Sequence, residues 1–240
     1  MSHEDLPDKV TGVLRADGGA LDQVFPGSTE KFVAAVVPVF RNLLDILDRF
    51  GEAEVRAKRS TGADGYGLGW QLLWDASNAL LGAFTLFQRG YATETLAVTR
   101  GVLERVACAL ALFDNPDLIP RFMAGKLSDL SVRAIGPAGR VITQFAHTWG
   151  LLSELGAHVV KDNIGTSFVG LTKGDTTHEL ELAIGGNIPT SGPEAVAWTE
   201  MVLQLCTIAE QILAPAPEQI FFNPRRVRAS FKRDAAHETM

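Results

Sequence analysis

Cysteine is scarce in this chain: Cys108 and Cys206 are the only two among 240 residues, and each sits in a strongly apolar segment. A disulfide scaffold needs a denser, patterned set, so the pair reads instead as buried free thiols of a reducing cytoplasm. Also missing are C-x-x-C, H-E-x-x-H, the paired E-x-x-H of a di-iron bundle, a Walker A loop and G-x-S-x-G. No metal site and no cofactor are expected on these grounds. Residues 1–10, MSHEDLPDKV, lack the basic stretch and apolar core of a secretory signal. No repeat of fixed period occurs.

An excess of positive charge is lacking too. The formal net charge is −6, so the body of the protein is not expected to attract nucleic acid or anionic lipid. Residues 221–240 are the exception, with five Arg or Lys against two acids; subtracting that +3 leaves the remainder at −9. We read this stretch as a basic C-terminal tail. A bilayer span is absent as well. Residues 68–88 are apolar over roughly the 20 residues a span needs, but Gln71, Asp75 and Asn78 fall close together on a helical wheel. That pattern predicts a core helix with one wet or partnered edge, and no membrane partner.

What is present is helical periodicity. Residues 1–27 carry Gly, Asp and Pro without a sustained period, which predicts a flexible N-terminal arm. From Ser28, suited to capping a helix, Phe32, Val36, Val39, Phe40, Leu43, Leu44 and Leu47 recur at three and four residues. Pro38 is expected to kink or break this helix. Residues 51–69 read as a charged, then glycine-rich loop. A second helix is expected over 68–89, closed by Gly90. A third, over 93–113, is apolar nearly all round and so is expected at the centre. Asn115-Pro116 breaks the chain, a fourth helix follows over 117–135, and a fifth over 138–155. Residues 167–172 and 178–184 then alternate in twos about Lys173-Gly174-Asp175, the pattern of a β-hairpin. Pro193 opens a last helix to about residue 213, where Pro215 and Pro217 are expected to stop it. The fold class is therefore all-α: a bundle of about six helices over residues 28–220, with a small β-hairpin inserted near 167–184. Aromatic side chains on the second helix exceed what one core needs, which predicts a homodimer.

Chemistry concentrates on few residues. Arg100 and Glu104, four apart on the third helix, share a stripe with Thr93, Ala97, Ala107 and Ala111. Small residues there let another helix come close, so both charges are expected to be partly enclosed. Such a pair either locks helix packing as an ion pair or clamps a substrate or phosphate. On the fifth helix Arg140, His147, Glu154 and His158 line one stripe if the helix is unbroken. It faces away from Val141, Phe145, Trp149, Leu152 and Val159, so a solvated polar face is the plain reading. Arg140 and His147 also meet the R-x4–6-H spacing of HEPN (higher-eukaryote and prokaryote nucleotide-binding) ribonucleases. Five His, three spacings and 15 Arg predict about one such match by chance, so the spacing carries nothing alone.

Two further stretches, TRGVLERVACAL with Arg100 and Glu104 and LLSELGAHVV with Ser153 and His158, do form a pattern. Over residues 66–213 the chain resembles a group of uncharacterised, mainly bacterial helical proteins, distantly HEPN-like, with Arg-x3-Glu in a central helix and a later Ser-x4-His. The resemblance implies an all-α bundle and, for some relatives, a link to nucleic acid or phage defence. It leads to two expectations. The first is a non-enzymatic binding or regulatory protein holding a small ligand or partner at a buried polar cluster of Arg100, Glu104, Ser153 and His158, with Asp75 and Asn78 as further candidates. The alternative is a HEPN-like RNA-cleaving or nucleotide-binding protein of phage-defence or toxin type. Its catalytic candidates would be Arg100, Glu104 and His158, with His147 and Arg140 as further contenders.

Overall fold

The computed structural model describes residues 5–50, 65–125, 138–139, 142–156, 168–173, 178–182, 188 and 192–221. Its helices are α1 (Leu6–Asp17), α2 (Gly19–Val24), α3 (Ser28–Phe50), α4 (Gly65–Gln88), α5 (Ala92–Asp114), α6 (Ile119–Met123), α7 (Phe145–Gly156), α8 (Gly192–Thr207) and α9 (Ala216–Phe221). A 3-10 turn, Pro116–Leu118, precedes α6, and a π turn, Ile208–Leu213, joins α8 to α9. The fold is all-α. Two strands, β1 (Phe168–Lys173) and β2 (His178–Leu182), pair antiparallel with Leu171 opposite Leu180.

The centre is the antiparallel pair α4–α5. Gly90 closes α4 in a left-handed conformation (φ 89°) that a side chain would strain. Around it the Tyr91 amide donates to the Leu86 carbonyl at 3.0 Å and the Gly90 amide to Phe87 at 3.0 Å, capping the last free carbonyls. The short turn lets the two helices run back to back, with Gly69 against the Ala109 carbonyl at one end and the Thr95 hydroxyl donating to the Ala83 carbonyl at the other. Val102, Leu103, Val106, Ala107, Ala109, Leu110 and Leu112 are all sealed from solvent. A helix apolar nearly all round can only sit inside, and α5 does.

α3 lies across this pair through aromatic contacts. Phe32 stacks on Phe84 with ring centroids 4.2 Å apart, and Phe40 meets Trp74 edge-on at 5.6 Å. α8 closes the same side, where Trp198 stacks on Phe87 at 4.4 Å. Asn42 of α3 donates to the Ala214 carbonyl at 3.0 Å, one of the groups left over where the π turn ends.

Several expectations are corrected here. Residues 6–24 are not a loose arm: they form α1 and α2, and Val10, Leu14 and Leu21 are buried in the shared core. Each such burial stabilises by about 1.5–3 kcal/mol, more than the glycine punctuation around it costs. The bundle domain therefore begins well before residue 28. Pro38 does not break α3, which runs unbroken from Ser28 to Phe50. Pro38 and Ala34, whose carbonyl loses its helical partner, are both exposed, so water can take the missing bond. The fifth helix expected over 138–155 is interrupted: residues 138–139 are helical, but Gln144 is left-handed (φ 65°) and α7 starts afresh at Phe145. The last helical run ends at Leu213, as expected ahead of Pro215; a separate short helix, α9, then opens at Ala216 with Pro217 in its first turn, where its missing amide is harmless. The loop expected over 51–69 gives way to α4 at Gly65, and the fourth helix expected over 117–135 is a 3-10 turn and then α6, which ends at Met123 before Gly125 (φ 66°); residues 51–64, 126–137, the hairpin turn 174–177 and the basic tail beyond Phe221 lie outside the described residues.

At the α3 entrance the capping oxygen comes from Asp22 rather than Ser28. Its Oδ1 accepts from the Thr29 amide at 3.0 Å and from the Ser28 hydroxyl at 2.7 Å. Burial alone would push this carboxyl up, but the hydrogen bonds from Thr29 and Ser28 together outweigh it and hold the carboxyl below its ordinary value. Arg15 and Glu30 strap α1 to α3 on the outside with two bonds of 2.9 and 3.0 Å.

Candidate functional site

α5 carries Arg100 and Glu104 one turn apart, and α7 packs against α5. Phe145, Trp149 and Leu152 are buried, while His147 and Glu154 are exposed on the other side of α7. Trp149 and Ser153, four residues apart, share a face. The Arg100 guanidinium carbon lies 5.7 Å from the centroid of the Trp149 ring, within reach of a cation–π attraction. Arg100, Glu104 and Ser153 are each half-buried.

The polar atoms of this contact are not fully satisfied. Arg100 Nε and Ser153 Oγ are buried and have no hydrogen-bond partner. A buried donor left unmade costs about 1–3 kcal/mol. A third orphan, Gln88 Oε1, sits apart from them, on a wholly buried residue whose amide nitrogen donates to the Leu14 carbonyl at 2.9 Å. It ties α1 to α4 and has no route to solvent.

Burial pushes the Cys108 thiol, one turn beyond Glu104, up to about 11, and the Glu104 charge adds to that. The Cys206 thiol is likewise pushed up to about 11 by burial and then by Glu210. Neither thiol is set up as a nucleophile.

Of the candidates from sequence, Arg100, Glu104 and Ser153 fall on the two packed helices α5 and α7, whereas His158 and Arg140 lie outside the described residues. Asp75 and Asn78 do not join a buried cluster: both are exposed, as the wet edge of α4. The stripe expected to link Arg140 to His147 is interrupted at Gln144. Trp149 was placed in the apolar face by its spacing, and its pairing with Arg100 is new. The i, i+4 relation of Trp149 and Ser153 was a visible hint that one face of α7 is both aromatic and polar.

Among the described residues no three His, Cys, Asp or Glu side chains gather as a metal site, and no helix is long and apolar enough to cross a membrane. Elsewhere, a groove of about 230 Å³ runs between the α2–α3 turn and α8, past Phe25, Pro26, Lys31, Val202 and the exposed Leu203. In comparisons with known proteins the chain matches no family model, no curated protein and no solved structure.

Proposed function

We propose that this protein is a non-enzymatic binding or regulatory module whose ligand or partner engages α5 and α7 around Arg100, Glu104 and Ser153, with His158 as a further contributor. The observation that carries this reading is the pair of orphaned polar atoms, Arg100 Nε and Ser153 Oγ, on two packed helices. A structural ion pair would have its donors filled; a recognition surface keeps them for something else. The sequence resemblance built on Arg100, Glu104 and Ser153 points to the same residues.

A thermal-shift screen of small ligands tests the reading. At least one compound should raise the melting temperature of wild type and lose that effect in Arg100→Ala. A folded Arg100→Ala protein with an unchanged screen removes the proposal. RNA cleavage, the alternative implied by the resemblance, predicts that wild type degrades mixed RNA and that His147→Ala or His158→Ala does not. Such a result would replace the binding reading.

The proposal includes a cytoplasmic homodimer, with the hairpin near 167–184 as an insertion on the bundle. Two free buried thiols support a reducing compartment. Val196 and Leu203, seven apart on α8, are exposed at 60% and 54%, an apolar face suited to a second copy. Light scattering should give twice the chain mass, falling to one chain in Leu203→Glu.

A further inference from the structure

We infer that the exposed face of α8 pairs in parallel with α8 of a second copy of this chain, and that Glu200 of the partner subunit meets Lys31 at the groove between the α2–α3 turn and α8. This rests on the homodimer reading above and gives it a surface, a direction and a charge pair. Val196 and Leu203 are both exposed and stand seven residues apart, so they form one ridge along the helix. A ridge repeating every seven residues meets its own copy in register when two helices run side by side in the same direction. Thr199 lies on the same side between them. Its hydroxyl already donates to the Ala195 carbonyl at 3.0 Å, so covering it strands no donor.

A hollow runs beside this ridge. Thr199, Val202 and Leu203 form one wall of the groove of about 230 Å³, and Phe25, Pro26 and Lys31 stand on the other. On the helical wheel Glu200 falls on the opposite flank of the ridge, away from the groove. Lys31 and Glu200 are both exposed, and neither is ion-paired among the described residues. The neighbouring acids are placed differently. Glu30 is bonded to Arg15, and Asp22 caps α3. Glu210 shares the surroundings of Lys31, since the Cys206 thiol is raised by the one charge and lowered by the other.

The two flanks set the direction. Parallel helices about a two-fold axis bring the acidic flank of each copy against the groove flank of the other, as e and g positions meet in a parallel coiled coil. Antiparallel helices would set like flanks together, Lys31 toward Lys31. One patch thus carries a ridge, a hollow, a cation and an anion, the self-complementary set that an isologous contact requires. An unrelated partner would need the hollow alone, and would leave the ridge spacing and the acid beside it without a use.

The test is sedimentation equilibrium of the full chain with reversed charges. Lys31→Glu and Glu200→Lys should each weaken the dimer by tenfold or more, with an unchanged circular dichroism spectrum. Mixed in equal amounts, the two variants should recover a one-to-one dimer, because each chain then sets Glu against Lys at both contacts. An ion pair within one chain could not produce that rescue. Glu210→Gln should leave the dimer in place. Under mild oxidation Leu203→Cys should cross-link to its own copy, as a parallel ridge requires. Charge reversals that leave the dimer intact, or variants that stay apart when mixed, overturn the inference and spare the homodimer. Loss of the dimer in Glu210→Gln overturns the choice of Glu200, and cross-linking only between Val196→Cys and Leu203→Cys chains overturns the parallel direction. A wild-type monomer at the highest soluble concentration removes the homodimer reading itself, and this inference with it.

Discussion

α5 has two packing faces, and they handle polar groups in opposite ways. Toward α4, Thr95 donates to the carbonyls of Tyr91 at 2.6 Å and Ala83 at 3.4 Å, Thr99 donates to Thr95 at 2.6 Å, and Ser77 on α4 donates to Leu73 at 2.8 Å. Toward α7, a guanidinium nitrogen and a hydroxyl are buried and unmatched. Hydroxyls that bond back to their own helix are cheap to bury, because the partner comes with the helix. A guanidinium can do the same, as Arg105 does in donating to the Gly101 carbonyl at 2.8 Å, but the Arg100 Nε turned toward α7 finds no such acceptor. The first face satisfies its polar groups within the fold, and the second leaves two of them unmatched.

The largest effect that would sharpen this contrast is in the aromatic core. Phe87→Ala, which removes the ring stacked on Trp198 and meeting Phe32, should cost about 3–5 kcal/mol in chemical denaturation. A loss below 1 kcal/mol would mean that this side of α4 is no better packed than the α7 contact. Arg100→Met should go the other way. Removing a guanidinium whose buried Nε is unmatched, while keeping most of its bulk, should leave stability unchanged or raise it by about 1–2 kcal/mol. A marked loss instead would show that Arg100 serves the fold, which erases the distinction.

Asp22→Ala should cost about 1 kcal/mol at neutral pH through the lost cap of α3. Because the folded carboxyl lies below its ordinary value of 3.8, its stabilisation is complete above that value and fades as pH falls through the folded titration. Denaturation of wild type and variant should therefore converge below pH 3.8, and a constant gap would assign the effect to packing. The smallest expected change is at the entrance to α7. Gln144→Gly should raise stability by about 0.5–1 kcal/mol, the left-handed strain relieved less the greater freedom of glycine when unfolded.

Much of this architecture was legible before any coordinates. The apolar stripe of α3, the all-round apolar α5 and the Gly90 stop are local signals with local causes. The N-terminal helices were missed because Gly12, Gly18 and Gly19 mask a spacing, Val10, Leu14 and Leu21, that is helical in hindsight. The start of α7 was missed because nothing in the residue type at Gln144 announces a left-handed backbone. For the site, Arg100 and Glu104 could be paired by periodicity within one helix. Their meeting with Trp149 could not, since periodicity says which face is apolar and is silent on which neighbour covers it.

The Gln88 tether has a practical corollary. Its side chain reaches the Leu14 carbonyl from the end of α4, so a chain trimmed to start at Ser28 would strip that amide of its acceptor and uncover the seat of Leu14 and Leu21 on α3 and α4. Such a shortened polypeptide should express as aggregates, and the first two helices are best regarded as the cork of this molecule rather than its label.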